Sequence, residues 1–267
     1  MRVYFEFIKN GAQTELAYRM SVLLRIASQL FILVVRVAMW NALLKAAGGG
    51  VSTDMGYVNL EDMMTYNVMS SVATILISTT VLNEVDEKIK SGQVSIDLIR
   101  PFNFKGSLFC STIGTNSVKA AIEALPLLII SILLYDISMP SLKYQLLSLF
   151  CLVNALILLF MLNYVLGLLG FWYLSVWQFR MIVGMLVMIM GGQQIPLWFF
   201  PDYLVDASAY LPFRLVYFAP LSIFLEKTTL IGSLSLILQQ FLWIGFLVFI
   251  ERTVWSRGIR KLVIQGG

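Results

Sequence analysis

The chain has 267 residues, of which 59% are hydrophobic and 13% charged, with 19 Lys and Arg against 15 Asp and Glu and no histidine. A soluble domain carries about 25% charged residues, so this composition excludes an ordinary soluble enzyme and indicates one membrane domain over residues 1–267. Without histidine there is no usual general base, metal ligand or proton relay. The phosphate loop GxxxxGK-S/T, HExxH and GxSxG are also missing. The expectation is therefore no catalytic residue, no metal site, no nucleic-acid partner and no cofactor bound by this chain.

The start, MRVYFEFIKNGAQTELAYRM, is too interrupted for the apolar core of a cleavable signal peptide. Its aromatic and basic residues suit a helix lying in the inner interface of a bilayer. Six apolar stretches follow, near 20–45, 63–82, 107–134, 143–174, 181–200 and 232–250. Crossing a ~30 Å hydrocarbon core takes ~20 helical residues. The expected fold class is an all-α polytopic membrane protein with six transmembrane helices. With both termini inside, the inner segments hold twelve Lys and Arg and the outer segments four. That bias predicts cytoplasmic termini and an outside loop at 46–61.

The first stretch carries Arg25, which can snorkel to the inner interface, and Arg36 deeper in. The second is rich in Ser, Thr and Ala, which let membrane helices approach closely, so it is expected to pack on protein. The third holds Lys119, Glu123 and Pro126. Arg36 and Glu123 each lie ~24 Å along their helices from the inner end. A lone charge at that depth is costly, so an Arg36–Glu123 ion pair is expected. The alternative is that Lys119 and Glu123, one turn apart, satisfy each other. Cys110 and Cys151 sit in apolar stretches and read as buried free thiols.

The longest inside connection is NEVDEKIKSGQVSIDLIRPFNFKG, 83–106. Glu84 to Lys90 can form a short helix that Gly92 ends, and Pro101 fixes the exit toward the third span. A mixed apolar and charged segment tied to two spans suits docking on a partner. Glu84, Glu87 and Lys88 would stand at the rim of such a contact. Ile89, Val94, Ile96 and Leu98 would supply its apolar centre. Arg100 would pair with an acid on the partner, or with Glu84 or Asp97.

The fifth stretch breaks at GGQQIP, 191–196. After it, 197–220 is apolar and aromatic but cut by Pro201, Pro212 and Pro220. Interior prolines break helices, so short helices dipping back toward the outer leaflet are expected, covered by protein. Met185 and Met188 are pliable and suit varied apolar ligands, or fill gaps in a helix interface. Gln193 and Gln194 either line a water-filled path or satisfy backbone groups freed by Pro196.

The stretch E-x-x-x-K-I-x-S-G-Q-V-S-x-D-L-I-R-P, 84–101, resembles the G-x-I/V-x-x-x-L-L/I/V-R/K-P signature of ABC-2 type ABC-transporter permeases. The string GGQQIPLWFFP, 191–201, with LPF at 211–213 and Pro220, resembles that family's fifth span and extracellular re-entrant helices. The resemblance covers nearly the whole chain. It implies a type V-like exporter membrane domain in a bacterial inner or plasma membrane. Two such domains, identical or sister permeases, would bind separate ATPase subunits that carry the ATP and Mg. Residues 83–106 would contain the coupling helix. The region 197–220, with Met185, Met188, Gln193, Gln194, Pro196 and Phe213, would form the translocation path and outer gate. The rival reading is a stand-alone carrier or assembly scaffold without an ATPase.

Overall fold

The computed structural model describes residues 2–17, 19–53, 56–135 and 137–265. Helix α1 (Arg2–Ala17) is followed by α2 (Arg19–Ala46). Gly48 and Gly49, both at positive φ, turn the chain into a hairpin of β1 (Gly50–Thr53) and antiparallel β2 (Gly56–Asn59). A capping box starts α3 (Leu60–Leu76). Asp62 N donates to Asn59 Oδ1 at 2.7 Å, and Asn59 N donates to Asp62 Oδ2 at 3.2 Å.

A short break leads to α4 (Val81–Lys90), then α5 (Gln93–Ile99) and α6 (Phe104–Lys119). One π turn at Ala120–Ala124 joins α6 to α7 (Leu125–Leu134). Pro126 lacks an N–H and crowds the preceding turn, so the wider π turn falls where regular α bonding would fail. Next come α8 (Leu142–Leu168), α9 (Trp177–Met190), α10 (Asp202–Ala209), α11 (Phe218–Phe224) and α12 (Leu230–Gln265).

Among the described residues, five candidate spans are long and apolar enough to cross a membrane: Met20–Ala46, Leu60–Lys90, Phe104–Leu134, Leu142–Phe171 and Leu230–Lys261. The Leu60–Lys90 segment is the most buried of them. Its small buried side chains, Ser70, Ser71 and Ala73, admit close neighbours. The apolar stretch at 181–200 breaks at GGQQIP, as its sequence suggests. Its helix is α9, 14 residues long, or ~21 Å. It ends because Gly192, at φ 72, closes it in a left-handed cap. Gln193 N donates to Met188 O and Gly192 N to Ile189 O, both at 3.2 Å.

Helix α8 runs through the core, with Cys151, Ala155, Leu158, Tyr164 and Leu168 at most 1% exposed. Gln240 of α12 donates to the carbonyls of Cys151 and Leu215, 2.9 Å each, joining three segments. Helix α1 lies along α6, with Tyr4 beside Asn103 and Gly11 beside Ser111 and Thr115. The contact is close enough that a methyl group added at Gly11 or Gly114 would overlap the Ser111 or Ile8 carbonyl oxygen.

Candidate functional site

The inner connection folds as a bent stem. Gly92 takes the left-handed conformation, φ 73, between α4 and α5, which costs glycine nothing. Asp97, 3% exposed, ties the bend together. It accepts from Lys88 Nζ at 2.6 Å and from Gln93 Nε2 at 3.4 Å, with Arg100 Nη1 at 3.8 Å. Of the partners open to Arg100, Asp97 is therefore the one within reach in this chain. Glu84 is bonded to Thr80 instead.

The stem is fastened to several spans. Val85 sits against Gly167 of α8, and Asp86 against Gly170, where added methyl groups would clash. Arg180 of α9 donates to Asn83 Oδ1 at 3.2 Å. Phe104 stacks on Trp255 of α12 at 5.4 Å, and Lys105 pairs with Glu251 at 2.8 Å. A cleft of about 380 Å³ lies beside the stem, bounded by Lys90, Phe171, Trp172 and Lys261 among others.

The stem's apolar residues divide in a way that corrects the expected contact surface. Val94 is fully buried and Ile89 is 9% exposed, and both belong to the chain's own core. Val94 is closed off from the surface, and Ile89 reaches it only at the floor of the cleft. Ile96, Leu98 and above all Ile99, 86% exposed, face outward with Arg100 and Pro101. Glu87 is exposed, and Glu84 and Lys88 are half-buried.

At the other end, α9 exposes Met185 and Met188. Gln193 Nε2 donates to Thr74 Oγ1 at 3.0 Å and to Tyr217 OH at 3.4 Å, while its carbonyl accepts from Ser70. Tyr66 OH donates to Gly192 O. Gln194 is half-buried, and Pro196 and Phe213 are buried. Residues 197–220 form two short helices and two single turns. The chain folds back so that Phe218 N donates to Gly191 O at 2.8 Å.

The expected Arg36–Glu123 pair does not form. Glu123 accepts from Arg25 Nε at 3.0 Å and Nη2 at 2.7 Å, and Arg25 also reaches Glu15. The π turn that carries Glu123 and the docking of α1, which carries Glu15, bring these groups together. Lys119 donates to Ser78 Oγ at 3.0 Å, so it is not the partner of Glu123 either. Arg36 has no ion pair among the described residues, and its Nε and Nη1 are buried without hydrogen bonds. Sequence reasoning missed Arg25 and Glu15 as partners of Glu123. The available signal was that Arg25 is the other arginine of the first stretch.

A family model described as ABC-2 family transporter protein matches residues 30–266. The chain belongs to the ABC-2 transporter family. Members of the ABC-2 permease family are membrane components and not themselves ATPases. With the five long apolar helices among the described residues, that membership makes the chain a multi-pass membrane protein and a transporter permease. No curated protein and no solved structure matches it.

Proposed function

We propose that this ABC-2 family member is the membrane-spanning subunit of an ATP-driven exporter. It moves a hydrophobic or amphiphilic substrate, such as a drug, antibiotic, peptide or lipid-like molecule, across a bacterial inner membrane. It works as one of two permease subunits, paired with a second copy or a sister chain, with both termini cytoplasmic. Separate ATPase subunits bind ATP and Mg. Residues 197–220 are the re-entrant outer gate that closes the path.

The observation that carries this reading is the bent stem of α4 and α5. A coupling element must touch the motor and be rigidly joined to the spans it moves. The stem presents Ile96, Leu98, Ile99 and Arg100 outward. Behind that surface it is bonded or packed to α8 and α9 and leads directly into α6. An exposed apolar patch with a charged edge fits a protein contact.

The test is purification of the chain from its native membranes in mild detergent. The expected result is retention of an ABC ATPase, identified by mass spectrometry, with Mg-dependent ATP hydrolysis that this permease stimulates. A lone oligomer without that subunit would contradict the proposal and favour a stand-alone membrane protein.

A further inference from the structure

Arg36 is one turn from Trp40 on α2, between Leu33 and Val37, which pack on α3, and Leu44, which belongs to the main core. The indole of Trp40 lies 5.0 Å from the ring of Phe199. Trp198, next in sequence, meets Tyr66 of α3 edge-on at 5.3 Å. Trp40 and Trp198 are each 6% exposed. Arg36 lies ~15 Å and Trp40 ~9 Å short of the end of α2 that leads into the hairpin.

Its polar atoms do not balance. Arg36 Nε and Nη1, Trp40 Nε1 and Trp198 Nε1 are buried donors without partners, against two unpartnered buried acceptors nearby in sequence, Asn41 Oδ1 and Asn67 Oδ1. Donors exceed acceptors, and one full positive charge has no counter-ion among the described residues. Leaving buried polar groups unpaired is costly, and more so for a charge. Such a deficit persists where something else supplies the acceptors. A second copy of the chain is poorly equipped to do so. Glu123 and Glu251, the acids furthest from the ends of the candidate spans, are buried in pairs with Arg25 and Lys105.

We propose that Arg36 and Trp40, with Trp198 beside Tyr66, bind the oxyanion headgroup of an amphiphile, a carboxylate or phosphate on an alkyl chain. Arg36 supplies the charge and a planar donor edge suited to an oxyanion. Trp40 adds an indole N–H, and the exposed apolar side chains of α2, such as Val35 and Met39, receive the tail. Only the amphiphile's status as transported substrate depends on the permease reading. Binding itself needs no ATPase.

The test uses the full chain in non-ionic detergent. Dodecyl phosphate and dodecanoate are compared with dodecanol and dodecyltrimethylammonium by thermal unfolding. The two anions are expected to raise Tm saturably by several degrees, and the neutral and cationic chains are not. Arg36→Met should raise the Tm of the unliganded protein, because it removes an unpaired buried charge, and should abolish the anion shift. Arg36→Lys should keep a reduced shift. Equal shifts in the parent and Arg36→Met would overturn the site, as would no shift in the parent. A lower unliganded Tm for Arg36→Met would also overturn it, because Arg36 would then be structural. With the ATPase complex, release of bound dodecyl phosphate on adding ATP and Mg marks a transported headgroup. Retention marks a resident lipid's headgroup, and either result keeps the site.

Discussion

Glu123 Oε1 accepts from both Nε and Nη2 of Arg25, at 3.0 and 2.7 Å, across 98 residues of sequence. The side chain of Glu123 is 5% exposed and that of Arg25 40%. Breaking a fully buried pair costs about 3–5 kcal/mol. Solvent at Arg25 weakens this one, so Glu123→Ala should cost about 1–3 kcal/mol. Thermal unfolding of Glu123→Ala, Arg25→Ala and the double variant should give a double-variant loss smaller than the sum of the two. Additive losses would mean that the contact contributes nothing.

Two glycines at similar φ should respond differently to alanine. Gly92 has open space where a Cβ would go, so Gly92→Ala should cost only the left-handed backbone term, ~1–2 kcal/mol. At Gly192 the added atom would lie 2.9 Å from the Tyr66 hydroxyl and 3.2 Å from Phe218 Cβ. Gly192→Ala should therefore lower Tm distinctly further, and equal effects would refute the packing of α3 against the end of α9.

Glu226 takes positive φ, 54°, just past α11, in a cap where glycine is usual. Its carboxylate holds it there by accepting from Ser141 N at 2.7 Å and Ser141 Oγ at 2.9 Å. These bonds, the Ser141 backbone N–H first, hold its pKa below the ordinary 4.5. A depressed carboxyl contributes stability above its unfolded value and loses it as pH falls through the lower folded value. Stability should thus fall on acidification below about pH 4.5 with a contribution from Glu226 that Glu226→Gln removes. An unchanged acid profile in that variant would contradict the assignment.

Topology is checked by single cysteines. Ser52 and Ser91 are both exposed, and Cys151 is fully buried and Cys110 partly so. With both native thiols replaced, Ser52→Cys should react with an impermeant reagent from outside and Ser91→Cys only from the cytoplasmic side. Labelling from one side alone would rule out the proposed topology.

Much of this architecture is visible in the residues. The long apolar runs, the bend at Gly92 and the proline-cut region 197–220 all follow from local chemistry, because periodicity and backbone restrictions act within a few residues. The charge pairing was not legible in the same way. Equal depth along two helices says nothing about their rotation or adjacency, and those decide that Arg25, not Arg36, faces Glu123. The side of α4 that faces inward was equally hidden. Ile89 and Val94 look like contact residues by composition, yet Val85, one turn before Ile89 on α4, packs against Gly167 of α8, and Val94 on α5 is buried in the core. The end of α9 was legible: GGQQIP marks the break, and the helix stops at Met190, just before it.

The most direct test of the coupling role is Ile99→Glu, at a position 86% exposed, compared with Ile89→Asp at a core position. The account predicts that Ile99→Glu folds with an unchanged Tm, loses ATPase association by at least tenfold and loses permease-stimulated ATP hydrolysis, while Ile89→Asp unfolds or lowers Tm sharply. An Ile99→Glu variant that binds the ATPase and stimulates hydrolysis like the parent would contradict it.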